Sequence, residues 1–323
     1  MPKAEIHVHL EGATDAATWF DIAQRNRIAL PAVTLDDWQK YFTFKSFQHF
    51  IDVYITATKA IARPEDVVQM IERFHARQHA QGVRYTECFI STSLHLRSLG
   101  QDELLDAIDE GIRRGYAQTG TTVRFIADIS RESPETQFAV GKLAIRGFER
   151  GLILGIGLGG LEAQFPAELF TQTYRRAREA GLRVVAHAGE AAGAASVRSA
   201  LTELGAERIG HGIRILEAAD LVADVRERKI PFEVCPRSNY ALGIAEAGRP
   251  HPIRAMIDAG LWCTLNSDDP AMFDGDLIDE YLVLAEQGFT WDELRAISRA
   301  TLEATFLDER EKAALRVEWD AFV

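Results

Sequence analysis

Eight short runs rich in β-branched and other apolar residues recur along this chain, and helix-like stretches separate most of them. The runs are 4–10, 83–90, 123–129, 152–158, 183–188, 208–213, 231–235 and 262–266; helical patterns fall at 102–117, 167–180, 196–204, 218–228 and 253–259. Strands that alternate with helices pair in parallel through right-handed crossovers. Eight such units in about 270 residues predict an α/β protein, a closed (β/α)₈ barrel, with an open doubly wound sheet as the structural alternative.

The first connection breaks the rhythm. About 70 residues separate the first two runs, and they predict a helical insertion over about 12–82. Nine of the 29 aromatic residues lie between Trp19 and Tyr54, among them Phe42, Phe44, Phe47 and Phe50. Such a group suits either the apolar lid of a pocket or a satellite core for the inserted helices. No linker or low-complexity tract interrupts the chain, so 1–323 reads as one domain. The segment after Asp276 reads as helical to the end.

The bulk numbers narrow the partners. A hydrophobic fraction of 47% with 26% charged residues is that of an ordinary globular chain. A net charge of −12 argues against nucleic acid, whose binders present a basic face. Cys88, Cys235 and Cys263 form no CxxC pair and sit in apolar runs, as buried free thiols in a reducing compartment would. No signal-peptide pattern precedes the first strand and no run of 18 apolar residues occurs, so the expected location is cytoplasmic with no membrane partner.

The chemistry lies at the strand ends, which read HVHLEG, GLGG, HAGE, GHG and NSDDP. In a barrel these ends meet at one rim. Alternation puts His7 and His9 on the same face of the first strand. His187 and Asp268 end two other strands, and three nitrogens with one carboxylate suit a single zinc with a position left for water. Glu190, three residues past His187, is placed to carry a proton. His211, between two glycines, is placed to stabilise charge on that water. Asp269 adjoins Asp268, so one of the pair can bind metal while the other makes a hydrogen bond.

Other signals fail on context. GIGLGG at 155–160 matches the dinucleotide fingerprint formally, but LEAQFPAE intervenes before any helix. These glycines suit close approach of a flat ligand instead. His75 and His79 have helical spacing but lack the following Glu of a zincin, and read as a solvated helix face. His49 carries no spacing argument; His95 and His251 follow strands and point only weakly to the rim.

Taken in order, PKAEIHVHLEG, HAGE, ERIGHG, CPRSN and NSDDP resemble the adenosine deaminase family of the amidohydrolase superfamily, over essentially the whole chain. The resemblance implies a barrel with one zinc ion on His7, His9, His187 and Asp268. It implies that Glu190 protonates purine N1, that His211 orients and activates the water, that Asp269 bonds N7 and that the backbone N–H of Gly160 bonds N3. The implied reaction is hydrolytic removal of the 6-amino group of a purine, with adenosine as the first expectation.

Departures leave the sugar side open. Typical adenosine enzymes end the fourth strand GIDLAGDE; this chain has GIGLGGLE, with Gly157 and Leu161 in place of two aspartates. Glu11 stands where those enzymes carry Asp, and Glu11 and the aromatic insertion are the candidates for gripping a sugar. The GLGG ending is similar to aminodeoxyfutalosine deaminases; CPRSN and NSDDPAMF are similar to adenine deaminases. A binuclear amidohydrolase would need a bridging residue at the fourth strand end, which Gly157–Gly160 do not supply. A catalytically dead binding protein would have lost a ligand or Glu190. The H-x-E with P-C-x-x-C pattern of the other zinc deaminases is absent.

Overall fold

The computed structural model describes residues 1–322. Eight strands run β1 (Lys3–His9), β2 (Val83–Ile90), β3 (Thr122–Ser130), β4 (Ile153–Gly159), β5 (Arg183–Ala188), β6 (Arg208–His211), β7 (Pro231–Val234) and β8 (Trp262–Leu265). Each pairs in parallel with the next, in sequence order. A parallel bridge between Val8 and Asp268 brings the last strand end back to the first. The closed barrel, not the open sheet, is therefore the architecture. All seven residues of β1 are buried, as expected of a strand covered on both faces.

The seam between β8 and β1 is stitched largely by side chains. Asn266 Oδ1 accepts from the backbone N–H of Ile6 (2.9 Å) and of His7 (3.1 Å). Glu5 Oε1 accepts from Ser267 N (2.8 Å) and Ser267 Oγ (2.6 Å). Two backbone bonds, His9 N to Asp268 O (2.8 Å) and Asp268 N to His7 O (3.1 Å), then set Asp268 beside the two histidines. The contacts that close the barrel are the same ones that place Asp268 in the site.

Most element boundaries agree with the sequence expectation, and the deviations have local causes. β6 stops two residues early because His211 (φ 57°) and Gly212 (φ 65°) leave the extended region. The helix expected at 167–180 opens as a tight 3₁₀ turn (Ala167–Phe170) before Thr171–Glu179. The end of the chain is three helices, Leu277–Glu286, Trp291–Ala304 and Glu309–Ala321. The last two open on capping boxes, Thr290 with Glu293 and Asp308 with Glu311.

The insertion holds four helices: α1 (Ala16–Asn26), α2 (Leu35–Phe42), α3 (Phe47–Thr58) and α4 (Pro64–Ala80). Asp15, Thr34 and Ser46 cap the first three through side-chain oxygens. The aromatics divide between the two expected uses. Trp19, Trp38 and Phe42 are buried in the core, while Phe47 and Phe50 of α3 line the pocket at the rim.

His75 corrects the sequence reading. It is fully buried where α4 packs on the helix Gln101–Thr119, and a Cβ on Gly115 would collide with its ring. Glycine on the facing helix turns a position that reads as solvated into an interface; His79 is exposed as expected. Cys88, Cys235 and Cys263 are free and buried. Among the described residues no helix is long and apolar enough to cross a membrane.

Candidate metal centre and active-site pocket

The rim brings His7, His9, His187 and Asp268 together: one ligand atom from each lies within 4.8 Å of all the others. The hydrogen bonds behind them decide which atoms face inward. His7 Nδ1 donates to Glu233 Oε2 (2.7 Å), and His187 Nδ1 donates to the carbonyl of Leu158 (2.9 Å). Both rings therefore turn Nε2 to the centre, in the arrangement that orients metal ligands through a bond to the other ring nitrogen. His7 Nε2 is buried with no hydrogen-bond partner. His9 Nε2 lies 3.2 Å from His187 Nε2, and Asp268 Oδ1 lies 3.5 Å from His7 Nε2 and 3.4 Å from His9 Nε2.

The site is electron-rich and short of positive charge. Burial works against a charge on His7, yet the Asp268 and Glu233 carboxylates outweigh it and lift the imidazole to about 10. Burial lowers His9 to about 4 and takes His187 well below the usual imidazole range. Burial would also raise Asp268, but its bond to His7 and the surrounding imidazoles hold it well below the carboxylate range. Three imidazole Nε2 atoms converge on one carboxylate, and the carboxylates that draw a proton onto His7 would equally draw a divalent cation into that position. A second grouping swaps in His211 and Cys235. Burial pushes the Cys235 thiol well up, so it stays protonated and is the poorer donor.

Strain marks the same spot. Asp268 (φ 62°) and His211 (φ 57°) both adopt the left-handed region that disfavours residues with a Cβ. Asp268 is held there by the seam bonds and by Ser238 Oγ, which donates to its Oδ2 (2.6 Å).

A relay that begins at a backbone N–H fixes the tautomer of His211. Ile253 N donates to His251 Nδ1 (3.1 Å), so His251 Nε2 carries the hydrogen and donates to Asn239 Oδ1 (3.0 Å). Asn239 Nδ2 then donates to His211 Nδ1 (3.2 Å). Burial lowers both imidazoles to about 3, so both rings are neutral. His211 consequently keeps its hydrogen on Nε2, 3.6 Å from Glu190 Oε1 and 3.8 Å from Asp268 Oδ2.

The loop bearing Glu190 is held from below. The Glu162 carboxylate accepts from the backbone N–H of Gly189 (2.5 Å), Glu190 (3.1 Å) and Ala192 (2.8 Å). Buried Arg131 donates to the carbonyls of His187 (2.7 Å) and Phe165. Burial first, then the carboxylates of Asp268 and Glu162, push the Glu190 carboxyl well above its ordinary range. Asp269 is raised by burial and by Asp268; one of its oxygens lies beside Gly12, where a Cβ would collide with it. Gly160 (φ 102°) needs to be glycine because a Cβ there would meet the Glu132 carboxylate.

These groups line a cavity of about 630 Å³, counting its open mouth. His9, His187, Glu190, His211, Asp268 and Asp269 form its floor, and α3 walls one side with Phe47, Phe50, Ile51 and Tyr54. Glu11 is not among the lining residues. Its buried carboxylate accepts from Ser91 N (3.0 Å) and Tyr54 Oη (3.0 Å) and pairs with His95. Glu11 pins α3 to the rim, and a direct grip on a sugar does not fit this geometry. His95 and His251, only weakly placed by sequence, serve as the partners of Glu11 and Asn239. Glu233, Glu162 and Asn239 escaped the sequence reading. Each acts by a partner distant in sequence, and only the CPRSN and GLGGLE motifs offered a signal for Asn239 and Glu162.

The family model described as adenosine deaminase matches residues 2–321. The chain belongs to the adenosine deaminase family. It is 35% identical over 326 residues to an adenine deaminase of Geotalea uraniireducens, covering 100% of this chain and 91% of that one. It is 37% identical over 328 residues to an aminodeoxyfutalosine deaminase of Streptomyces avermitilis, again covering 100% and 91%. The crystal structure of an adenine deaminase from Arthrobacter aurescens superposes with a TM-score of 0.93 at 30% identity, over 99% of this chain and 98% of that one. An amidohydrolase from Burkholderia ambifaria with bound zinc superposes with a TM-score of 0.90 at 27% identity, over 99% and 90%. This family member is a purine-directed hydrolytic aminohydrolase with the fold of a metal-dependent barrel.

Proposed function

We propose that the chain is a zinc-dependent deaminase that converts free adenine and water to hypoxanthine and ammonia. The observation that carries the reaction is the cluster of inward-facing imidazole nitrogens with Asp268 on the floor of a pocket that also holds Glu190, His211 and Asp269. His7, His9, His187 and Asp268 would hold one zinc ion per chain. When bound, that ion lowers the pKa of water to near neutrality and supplies the nucleophile for addition at C6.

This chain's own groups do the rest. The protonated Glu190 carboxyl donates to N1 as C6 becomes tetrahedral, which lets ring electrons settle on nitrogen. The His211 Nε2–H donates to the attacking oxygen and offsets its charge. Asp269, protonated through burial and its neighbour, donates to N7; the Gly160 N–H donates to N3. The proton of the added hydroxyl then passes to the amino group, and the C6–N bond breaks to release ammonia. The oxygen left on C6 becomes the carbonyl of the 6-oxo purine, and Glu190 regains its proton from the next water.

The free base is favoured over the adenosine first expected. Glu11 is buried outside the pocket lining with its carboxylate already taken up by Ser91, Tyr54 and His95, and relatives on both sides of the comparison are named adenine deaminase. The aminodeoxyfutalosine deaminases among the relatives support a nucleoside as the second reading. Ammonia release from the zinc-loaded protein decides between them, with adenine, adenosine, deoxyadenosine, aminodeoxyfutalosine and AMP as substrates. Adenine is expected to have the highest kcat/KM; a higher value for any nucleoside overturns the free-base reading and leaves deamination standing.

The tautomer relay predicts a remote effect. His251→Phe removes the anchor that orients Asn239, and with it the bias of His211 toward an inward Nε2–H. We expect kcat to fall by about 10- to 100-fold, the scale for partners that orient a site from behind. KM and zinc content should change little. An unchanged kcat shows that the relay does not govern His211.

A further inference from the structure

Asp128, at the C-terminal end of β3, has no part in the chemistry above. It lines the pocket and is 4% exposed, and its Oδ1 is fully buried without a hydrogen-bond partner. No cation offsets it at short range: its backbone is held by Thr92 Oγ1 (3.0 Å), but no salt bridge reaches its carboxyl among the described residues. A buried carboxyl with an unsatisfied oxygen lowers stability, so a bare structural role gives no reason to keep it.

The neighbouring strand is built to admit it. Asp128 lies in register with Gly157 on β4. A Cβ on Gly157 would come to 2.6 Å from Asp128 Oδ1, and one on Gly159 to 2.9 Å from Oδ2. The aspartate missing from position 157, noted in the sequence, is thus matched by a carboxyl from β3 lying over the glycines of β4.

The order of strands around the rim says which edge of the ligand it meets. In the orientation proposed above, on which this inference rests, N1 lies at Glu190 after β5, N3 at Gly160 after β4 and N7 at Asp269 after β8. The perimeter of a purine runs N1, N3, N9, N7. The rim runs β5, β4, β3 and on through β2 and β1 to β8. N9 therefore falls after Gly160, on the side of β3. We infer that Asp128 accepts the N9–H of a free purine and so selects the base over forms substituted at N9. A glycosyl nitrogen has no hydrogen to offer, and a site built to hydrogen-bond a group rejects the analogue that lacks it.

The test compares adenine with 9-methyladenine on the zinc-loaded protein and on Asp128→Ala and Asp128→Asn. Wild type is expected to favour adenine by about 10²-fold or more in kcat/KM. Asp128→Ala should lose most of that preference by losing adenine activity while 9-methyladenine holds or improves. Asp128→Asn keeps an acceptor oxygen and should keep more of the preference. Calorimetric binding of hypoxanthine and 9-methylhypoxanthine should show the same pattern without turnover. Both variants should melt no lower than wild type. Equal losses on both ligands, or a preference untouched in Asp128→Ala, overturn the assignment. If zinc-loaded wild type deaminates neither purine, the proposed reaction fails, and the binding pair alone then decides for or against Asp128.

Discussion

Removal of the metal is expected to abolish turnover, by at least about 10³-fold, and added zinc is expected to restore it. The size follows from the job: without a cation nothing in the pocket brings the pKa of water from 15.7 to near 7. Neither His211, with its hydrogen held inward, nor the protonated Glu190 is a base able to replace it. His9→Ala should give the same loss through the site itself. His9 Nε2 sits 3.2 Å from His187 Nε2 and 3.4 Å from Asp268 Oδ1, so its deletion opens one corner of the ligand set. The barrel should survive, because His9 ends its strand at the rim and the apolar residues Ile6 and Val8 below it remain buried. Metal content, activity and thermal midpoint measured together check this. Full activity in rigorously metal-free protein refutes the centre.

Glu190→Gln should retain zinc and bind purine, yet lose at least about 10² of rate, the scale of general acid–base catalysis and about 2.7 kcal/mol of barrier. The amide is the same shape and can still donate a hydrogen bond to N1, but it cannot give up a proton. Its loop should stay in place, because Glu162 and Arg131 hold the backbone rather than the side chain. Loss of zinc from this variant makes Glu190 a ligand and overturns the role proposed for it. Near-normal turnover removes the proton-transfer role outright.

Glu11 and Asp128 show how a resemblance and a structure divide the work. Glu11 sits in a motif beside His7 and His9, and motif proximity alone points it at the ligand. The fold instead turns it toward Ser91, Tyr54 and His95, where it ties α3 to the rim. Asp128 sits in no motif, yet the register of β3 against β4 delivers it to the pocket.

The sequence by itself determined the eight-strand barrel, the insertion and the residues at the strand ends. Strand and helix periods of 2 and 3.6 are local, and the rim gathers whatever ends a parallel strand. His7, His9, His187, Glu190, His211, Asp268 and Asp269 were legible for that reason. Only the tertiary structure decided which nitrogen of each imidazole faces inward, because the partners that decide it lie far along the chain. Glu233 is 226 residues from His7, and Asn239 is 28 from His211. The burial of His75 depended likewise on a glycine of another helix. Hydrogen-bond direction and side-chain burial are set by through-space neighbours, and no periodicity along a chain encodes which neighbours those are.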